Sequence, residues 1–157
     1  MPAVDIPRAR RATSLAVAVL ACGLLAGCVT TAGGALGDLT RSSRSAASDL
    51  QSISLALALF SDDRSTKAVT GTAIDDSVSD LVTLQQSVAT LTVDDARERT
   101  ARSRTLSLLD DALEAGISVK EAVNEVGGAP SVITAHHRAE GAADRLWAWS
   151  TRLEKLW

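Results

Sequence analysis

The chain has 157 residues, a formal net charge of −3 and only 3% aromatic residues, with no tyrosine. This length suits a single domain rather than two. Because strands prefer aromatic and β-branched side chains, the composition favours an all-α domain. The acidic balance argues against a general nucleic-acid binder, which needs a basic face.

The first 28 residues combine three features in a fixed order. A basic stretch with three arginines comes first, residues 12–25 are uncharged and mostly apolar, and the run Leu25-Ala26-Gly27-Cys28 follows. This order resembles the signal peptide of bacterial lipoproteins, which ends in a lipobox. The resemblance implies a signal peptide over residues 1–27, cleavage between Gly27 and Cys28, and a diacylglyceryl group on the Cys28 thiol.

The resemblance also implies a location for the protein. Arginines before an apolar segment stay in the cytoplasm, so the rest of the chain is expected on the extracytoplasmic face of the cell membrane. A diacylglyceryl group supplies the two acyl chains that stable anchoring needs. An uncleaved membrane anchor stays open, because residues 12–37 carry no charge and about 20 apolar residues cross a bilayer.

Cleavage would leave an acidic chain without a free cysteine. Residues 1–27 carry three arginines and one aspartate, so the remainder has a net charge of −5. Cys22 leaves with the signal peptide and Cys28 is acylated, so no disulfide is expected. Residues 28–35 contain two glycines and lack helical periodicity, which predicts a lipidated cysteine and a flexible tether before a domain at 36–157.

That domain contains four predicted helices, at about 36–60, 66–91, 94–126 and 131–157. In each helix, apolar residues recur three and four positions apart, and only Ser43 interrupts the series of the first. Such stripes joined by short polar turns predict an antiparallel four-helix bundle with crossing angles of about 20°. A homodimer through one stripe stays open.

The pattern of the third helix allows two interpretations. Thr92 and Asp95 resemble a capping box at its start. The apolar series then changes phase near Gly116, and Ser118 with Glu121 resembles a second capping box. The sequence therefore predicts one long helix kinked near Gly116, or else two helices separated by a tight break.

Other polar residues indicate where the second and fourth helices begin. Asp75, Asp76 and Asp80 would be favoured by the helix dipole if the regular part of the second helix begins near Thr72. Ser131 follows a Gly-Gly-Ala-Pro stop and is expected to cap the fourth helix.

Two sets of arginines flank the apolar stripes. They are Arg97, Arg99, Arg102 and Arg104 on the third helix, and Arg138, Arg145 and Arg152 at seven-residue intervals on the fourth. The first set can bind lipid phosphate or an anionic envelope polymer, although pairs with Asp95 and Glu98 at i, i+4 spacing explain it structurally. The second set is expected to pair with acids on a neighbouring helix.

No set of residues predicts a reaction or a metal site. His136 shares one helix face with Glu140 and Asp144, and His137 is the only other histidine. A zinc site takes three or four ligands, usually from more than one element, so we interpret these residues as solvated side chains. We predict no catalytic residue, no metal and no cofactor other than the diacylglyceryl group, and hence no enzyme.

Three tryptophans lie in the last eleven residues: Trp147, Trp149 and Trp157. Two positions along a helix differ by about 200° in direction. Trp149 continues the apolar stripe, so Trp147 is expected to face outward, where tryptophan is common at interfaces. The alternative is that Trp147 lies flat over the edge of the bundle.

These observations predict a binding or scaffolding bundle in the cell envelope rather than a catalyst. Its candidate contacts with an envelope protein partner are Trp147 and Trp157, and the lipid anchor connects it to the membrane. The alternative is a carrier or sensor of an apolar small molecule, held in the bundle core near the alanine-rich start of the last helix.

Overall fold

A computed structural model describes residues 33–125 and 130–156 and confirms an all-α four-helix bundle, with no strand in these ranges. The helices are α1 (Gly34–Ser61), α2 (Lys67–Thr90), α3 (Ala96–Asn124) and α4 (Val132–Glu154). α1 packs against the other three helices, whereas α2 and α4 lie on opposite sides of it without touching. No helix in the described ranges has an apolar stretch long enough to cross a membrane.

Polar side chains determine where three of the helices begin. The hydroxyl of Thr66 accepts the Val69 N–H at 3.3 Å before α2, and Ser131 accepts the Thr134 N–H at 3.3 Å before α4, as predicted for Ser131. Because α2 begins at Lys67, the aspartates at 75, 76 and 80 lie beyond its first turn. The prediction that the helix dipole favours them there was wrong.

The capping box of α3 lies three residues later than predicted. Asp95, not Thr92, is the capping residue, and its carboxylate accepts the Glu98 N–H at 2.7 Å. The Glu98 carboxylate reaches back to the Asp94 N–H at 2.8 Å. An aspartate followed by a glutamate three residues on satisfies two backbone donors at once, which explains why the helix begins after it.

α3 is a single helix of 29 residues that continues through Gly116. The predicted alternative of two helices was wrong, and Ser118 lies buried inside the helix rather than at a start. The change of phase has a packing cause. A Cβ on Gly116 would lie 2.9 Å from Cγ2 of Val78 in α2 and 3.5 Å from Cδ1 of Ile53 in α1. The glycine therefore lets three helices approach closely.

The interruption of the first stripe at Ser43 is accommodated without an unpaired polar group. Ser43 is fully buried, and its hydroxyl donates to the Leu39 carbonyl at 2.8 Å. Thr105 of α3 does the same with the Ala101 carbonyl at 3.0 Å. Buried hydroxyls bonded within their own helix cost little, so the core tolerates them.

The antiparallel order brings particular segments together at one end. Arg44 of α1 bonds to Glu154 of α4, and Arg102 of α3 bonds to the backbone of Leu91 after α2. We call residues 33–44, 87–105 and 146–156 the proximal end, because α1 starts there. The remaining described residues, 45–86, 106–125 and 130–145, form the distal part.

Candidate binding surface

An exposed tryptophan on α4 forms the centre of the candidate site. Trp147 is 54% exposed. The guanidinium carbon of Arg44 lies 5.6 Å from the centroid of its ring, and the same guanidinium bonds to the Glu154 carboxylate at 2.5 Å. We call Trp147, Arg44 and Glu154 the Trp147 surface. The prediction that Trp147 faces outward is confirmed, and Arg44 stacks on the ring without covering it.

Arg44 and Glu154 were missed by the sequence analysis. They lie 110 residues apart in the chain, so no local pattern relates them. A cation over the face of an indole is attracted by its negative face, and the ion pair with Glu154 holds the guanidinium in place. The Trp147 surface therefore presents an exposed aromatic side chain with charges of both signs beside it.

Trp149 faces the opposite way, as the helical spacing predicted. Its side chain packs partly buried against the core, and its indole N–H donates to the Thr105 hydroxyl of α3 at 2.9 Å. A satisfied indole inside the bundle has a structural role. Of the two tryptophans that the structure describes, Trp147 alone is available to a partner.

The arginines of α3 do not form the predicted pairs. In the described ranges, no ion pair joins Asp95 to Arg99 or Glu98 to Arg102. Arg102 instead donates to the Leu91 carbonyl at 2.9 Å, and Arg99 to the Asp94 carbonyl at 3.3 Å. Asp95 and Glu98 are already engaged in capping the helix, which explains why these arginines bond to the loop before it.

The three arginines that flank the apolar stripe of α4 were predicted to pair with acids on a neighbouring helix, and one of them does. Arg145 pairs with Asp111 of α3 at 3.6 Å. Arg138 donates to the Ser118 hydroxyl at 3.4 Å rather than to an acid. Arg152 makes no ion pair with the residues that the structure describes. The pairing of flanking arginines with neighbouring acids therefore holds for one position of the three.

His136, His137 and Glu140 come together on the surface of α4. One carboxylate oxygen of Glu140 lies 3.4 Å from Nδ1 of His136 and 3.3 Å from Nδ1 of His137. The helical spacing predicts a row of His136, Glu140 and Asp144, whereas in the structure the group consists of His136, His137 and Glu140. These three could supply metal ligands, but all belong to one helix, and His137 and Glu140 are exposed.

The alanine-rich start of α4 is filled by protein. Ala135, Ala139 and Ala142 are at most 1% exposed in the core. A cleft of about 550 Å³ runs along the surface between α3 and α4 nearby. It is lined largely by charged and polar side chains, among them Asp111, Glu114, His137, Arg138 and Arg145. Five of its eight lining residues have ionisable side chains.

One carboxyl group in the bundle titrates abnormally. Burial, together with the negative charge of Asp80 on α2, raises the pKa of Asp49 to about 6. One oxygen of the Asp49 carboxylate is buried without a hydrogen-bond partner among the protein groups described. Ionised Asp49 is therefore destabilised where α1 meets α2.

The lipobox and the last tryptophan lie outside the described residues. Gly27, Cys28 and Trp157 therefore keep the status of predictions. Comparisons of the chain with protein-family models, curated proteins and solved structures found no match. The assignment of function rests on the residues themselves.

Proposed function

We propose that this protein is a lipid-anchored extracytoplasmic lipoprotein whose helical bundle acts by binding or scaffolding in the cell envelope. Cys28 carries the diacylglyceryl anchor, and the Trp147 surface contacts a partner protein. The bundle has no catalytic role and takes no metal or cofactor in this proposal.

The exposure of Trp147 carries the proposal. A tryptophan that is more than half exposed keeps a large apolar ring in water, and such residues are common where a partner excludes that water. Arg44 and Glu154 add one donor-rich and one acceptor group beside the ring. This combination of an aromatic centre with a polar border is typical of protein contact sites.

The packing of α4 favours a binding surface over a carrier. A carrier needs an apolar cavity near the start of the last apolar stripe, where the alanines of α4 are instead packed at 0–1% exposure. Typical sites for small molecules are concave and mostly apolar. The charged lining of the cleft between α3 and α4 differs from such a site.

The partner contact can be tested by crosslinking in intact cells. A photoreactive amino acid placed at Trp147 should give a defined protein adduct, whereas the same group at Ile133 should not. Ile133 is a matched control, because it lies on the distal part of α4 and is 71% exposed. The adduct should also weaken when Arg44→Ala is introduced. Equal adducts at both positions would contradict a specific contact.

The anchor is tested separately by fractionation and mass. The wild-type protein should stay with membranes in high salt and carry acyl mass, whereas Cys28→Ser should lack that mass. Release of both proteins by salt, with no acyl mass on either, would contradict the lipoprotein assignment.

A further inference from the structure

The charges of the bundle are separated along its axis. The proximal end contains eight basic and five acidic side chains, a net charge of +3. The distal part contains five basic and thirteen acidic side chains, a net charge of −8. The net charge of −5 over the described residues therefore conceals a basic end and an acidic body.

The basic end is the one from which the tether leaves. α1 begins at Gly34, so five residues, 29–33, connect Cys28 to the helix. Five extended residues reach at most about 18 Å. An acyl chain on Cys28 would therefore keep the start of α1, at the proximal end, within about 18 Å of the lipid headgroups.

Several basic side chains at the proximal end are not neutralised by the protein. Arg97, Arg104, Arg152 and Lys155 make no ion pair with the residues that the structure describes. They come from α3 and from the end of α4, which the antiparallel order places side by side. Arg104 and Arg152 line the same small cleft beside Trp149.

We infer that the proximal end docks onto an anionic lipid surface through these unpaired basic side chains. The bundle then stands on the membrane with its acidic distal part directed away. Anionic headgroups attract each nearby arginine or lysine and repel the thirteen acids of the distal part, so both ends favour the same orientation. This inference rests on the proposed lipid anchor and deepens it by naming the surface that the bundle contacts.

Docking in this way leaves the proposed partner site accessible. Trp147 lies seven residues before Glu154, the last residue of α4, which is about 10 Å along the helix axis. The Trp147 surface would therefore stand just above the headgroups, on the side of the bundle. The docked orientation sets the height at which a partner protein meets it.

The orientation can be measured on the lipidated protein in vesicles. Ser61→Cys labels the distal end of α1, and Thr92→Cys labels the loop of the proximal end. Each gives one free thiol if Cys28 is acylated and Cys22 removed. Energy transfer from the label to dyes on lipid headgroups should be strong for Thr92→Cys and weak for Ser61→Cys, because α1 is about 42 Å long.

Lipid charge and salt provide the comparison. The contrast between the two labels should be large on vesicles containing phosphatidylglycerol. It should shrink on phosphatidylcholine vesicles and also at 1 M salt, where the Debye length falls to about 3 Å.

Charge reversal at each end gives a matched pair of variants. Arg97→Glu with Lys155→Glu should remove the contrast on anionic vesicles. At about fivefold per basic side chain, the ratio of docked to undocked protein should fall by about 25-fold or more. Arg64→Glu with Lys67→Glu makes the same charge change on the distal part and should preserve the contrast. Circular dichroism checks that both variants fold.

The possible results distinguish a failure of the docking from a failure of the lipid anchor. Membrane retention at high salt together with equal contrast on anionic and neutral vesicles would overturn the docking and leave the anchor intact. Dissociation from both kinds of vesicle would overturn the anchor and the docking with it. Binding of soluble polyphosphate by the proximal end, with no effect of lipid charge, would assign the surface to an anionic polymer and contradict the inference.

Discussion

The proximal end and the distal part of this bundle are built by different packing. At the proximal end, α4 contributes Leu146, Trp149 and Leu153 to the core, and the indole of Trp149 bonds across to α3. In the distal part, the buried apolar residues of α4 are all alanines, and α3 places Gly116 against two neighbouring helices. The contribution of α4 to the core therefore changes from large side chains at the proximal end to small ones in the distal part, where the other three helices supply large buried residues such as Ile53, Ile74 and Leu109.

The two regions also differ in charge, and the fold does not require that difference. The solvent face of a helix accepts acids or bases equally well, so the packing of the core does not require the separation of +3 from −8. At Asp49 in the distal part, burial and the negative charge of Asp80 both oppose ionisation of the carboxyl group. Packing of the core stabilises the bundle, whereas in the proposed docking it is the distribution of charge that orients it.

The largest expected effect tests the bulky packing of the proximal end. Leu146→Ala removes a fully buried side chain and should lower the free energy of unfolding by about 3 kcal/mol through lost burial and a cavity. Ala139→Gly in the distal part removes one methyl group and should cost about 1.5 kcal/mol, mostly through helix propensity. Urea denaturation measures both. Equal losses would contradict the difference in packing.

A smaller effect tests the close approach in the distal part. Gly116→Ala gains helix propensity of about 1 kcal/mol but brings a Cβ to 2.9 Å from the stiff side chain of Val78, an overlap that costs about 2 kcal/mol. The free energy of unfolding should therefore fall by about 1 kcal/mol.

Gly71→Ala is the matched control, because no atom lies within 4 Å of a Cβ at that position in α2. It should raise the free energy of unfolding by about 0.5–1 kcal/mol. If Gly116→Ala stabilises the protein as much as Gly71→Ala does, the three helices have room to separate and the close approach is not required.

The smallest effect tests the acidic distal part. The pKa of Asp49 is about 6 in the folded protein and 3.8 ordinarily, so the folded state binds this proton more tightly. The group contributes stability below pH 4, and this contribution is lost as the pH rises towards and through 6. Asp49→Asn should raise the free energy of unfolding by about 1 kcal/mol at pH 7.5, after allowance for solvent screening.

At pH 4 or below the same substitution should have little effect, because Asp49 is then largely protonated when folded. Asp76→Asn, at an exposed position of α2, controls for the removal of one negative charge. Thermal denaturation across this pH range measures the difference between the two variants. A gain from Asp49→Asn that does not depend on pH would contradict the assignment.

The helices were predictable because their signal is local. Apolar residues three and four positions apart lie on one face of a helix whatever else the chain does, and all four helices are found within three residues of the predicted limits. The start of α3 was harder to predict from the sequence. Thr92 and Asp95 have the spacing of a capping box, but so do Asp95 and Glu98, and both kinds of pair are good caps.

Gly116 shows a different limit of sequence reasoning. A glycine within an apolar stripe predicts a break when only its low helix propensity is considered. In the structure the helix continues through this position. Val78 and Ile53 from two other helices occupy the space that a side chain at position 116 would need, which explains the glycine. A pattern within one helix carries no information about how closely another helix approaches it.

One part of the candidate site was predictable from the sequence, and the other part was not. The sequence determined that Trp147 and Trp149 face opposite sides, because 200° of rotation follows from two residues of any helix. Only the tertiary structure decided that Arg44 and Glu154 meet Trp147, since contacts 110 residues apart depend on the antiparallel packing of α1 and α4. That packing also gathers arginines from separate segments at the end of the bundle where α1 begins. The periodicity of a helix depends on residues close together in the sequence. The distribution of charge over a bundle depends on how its helices pack side by side.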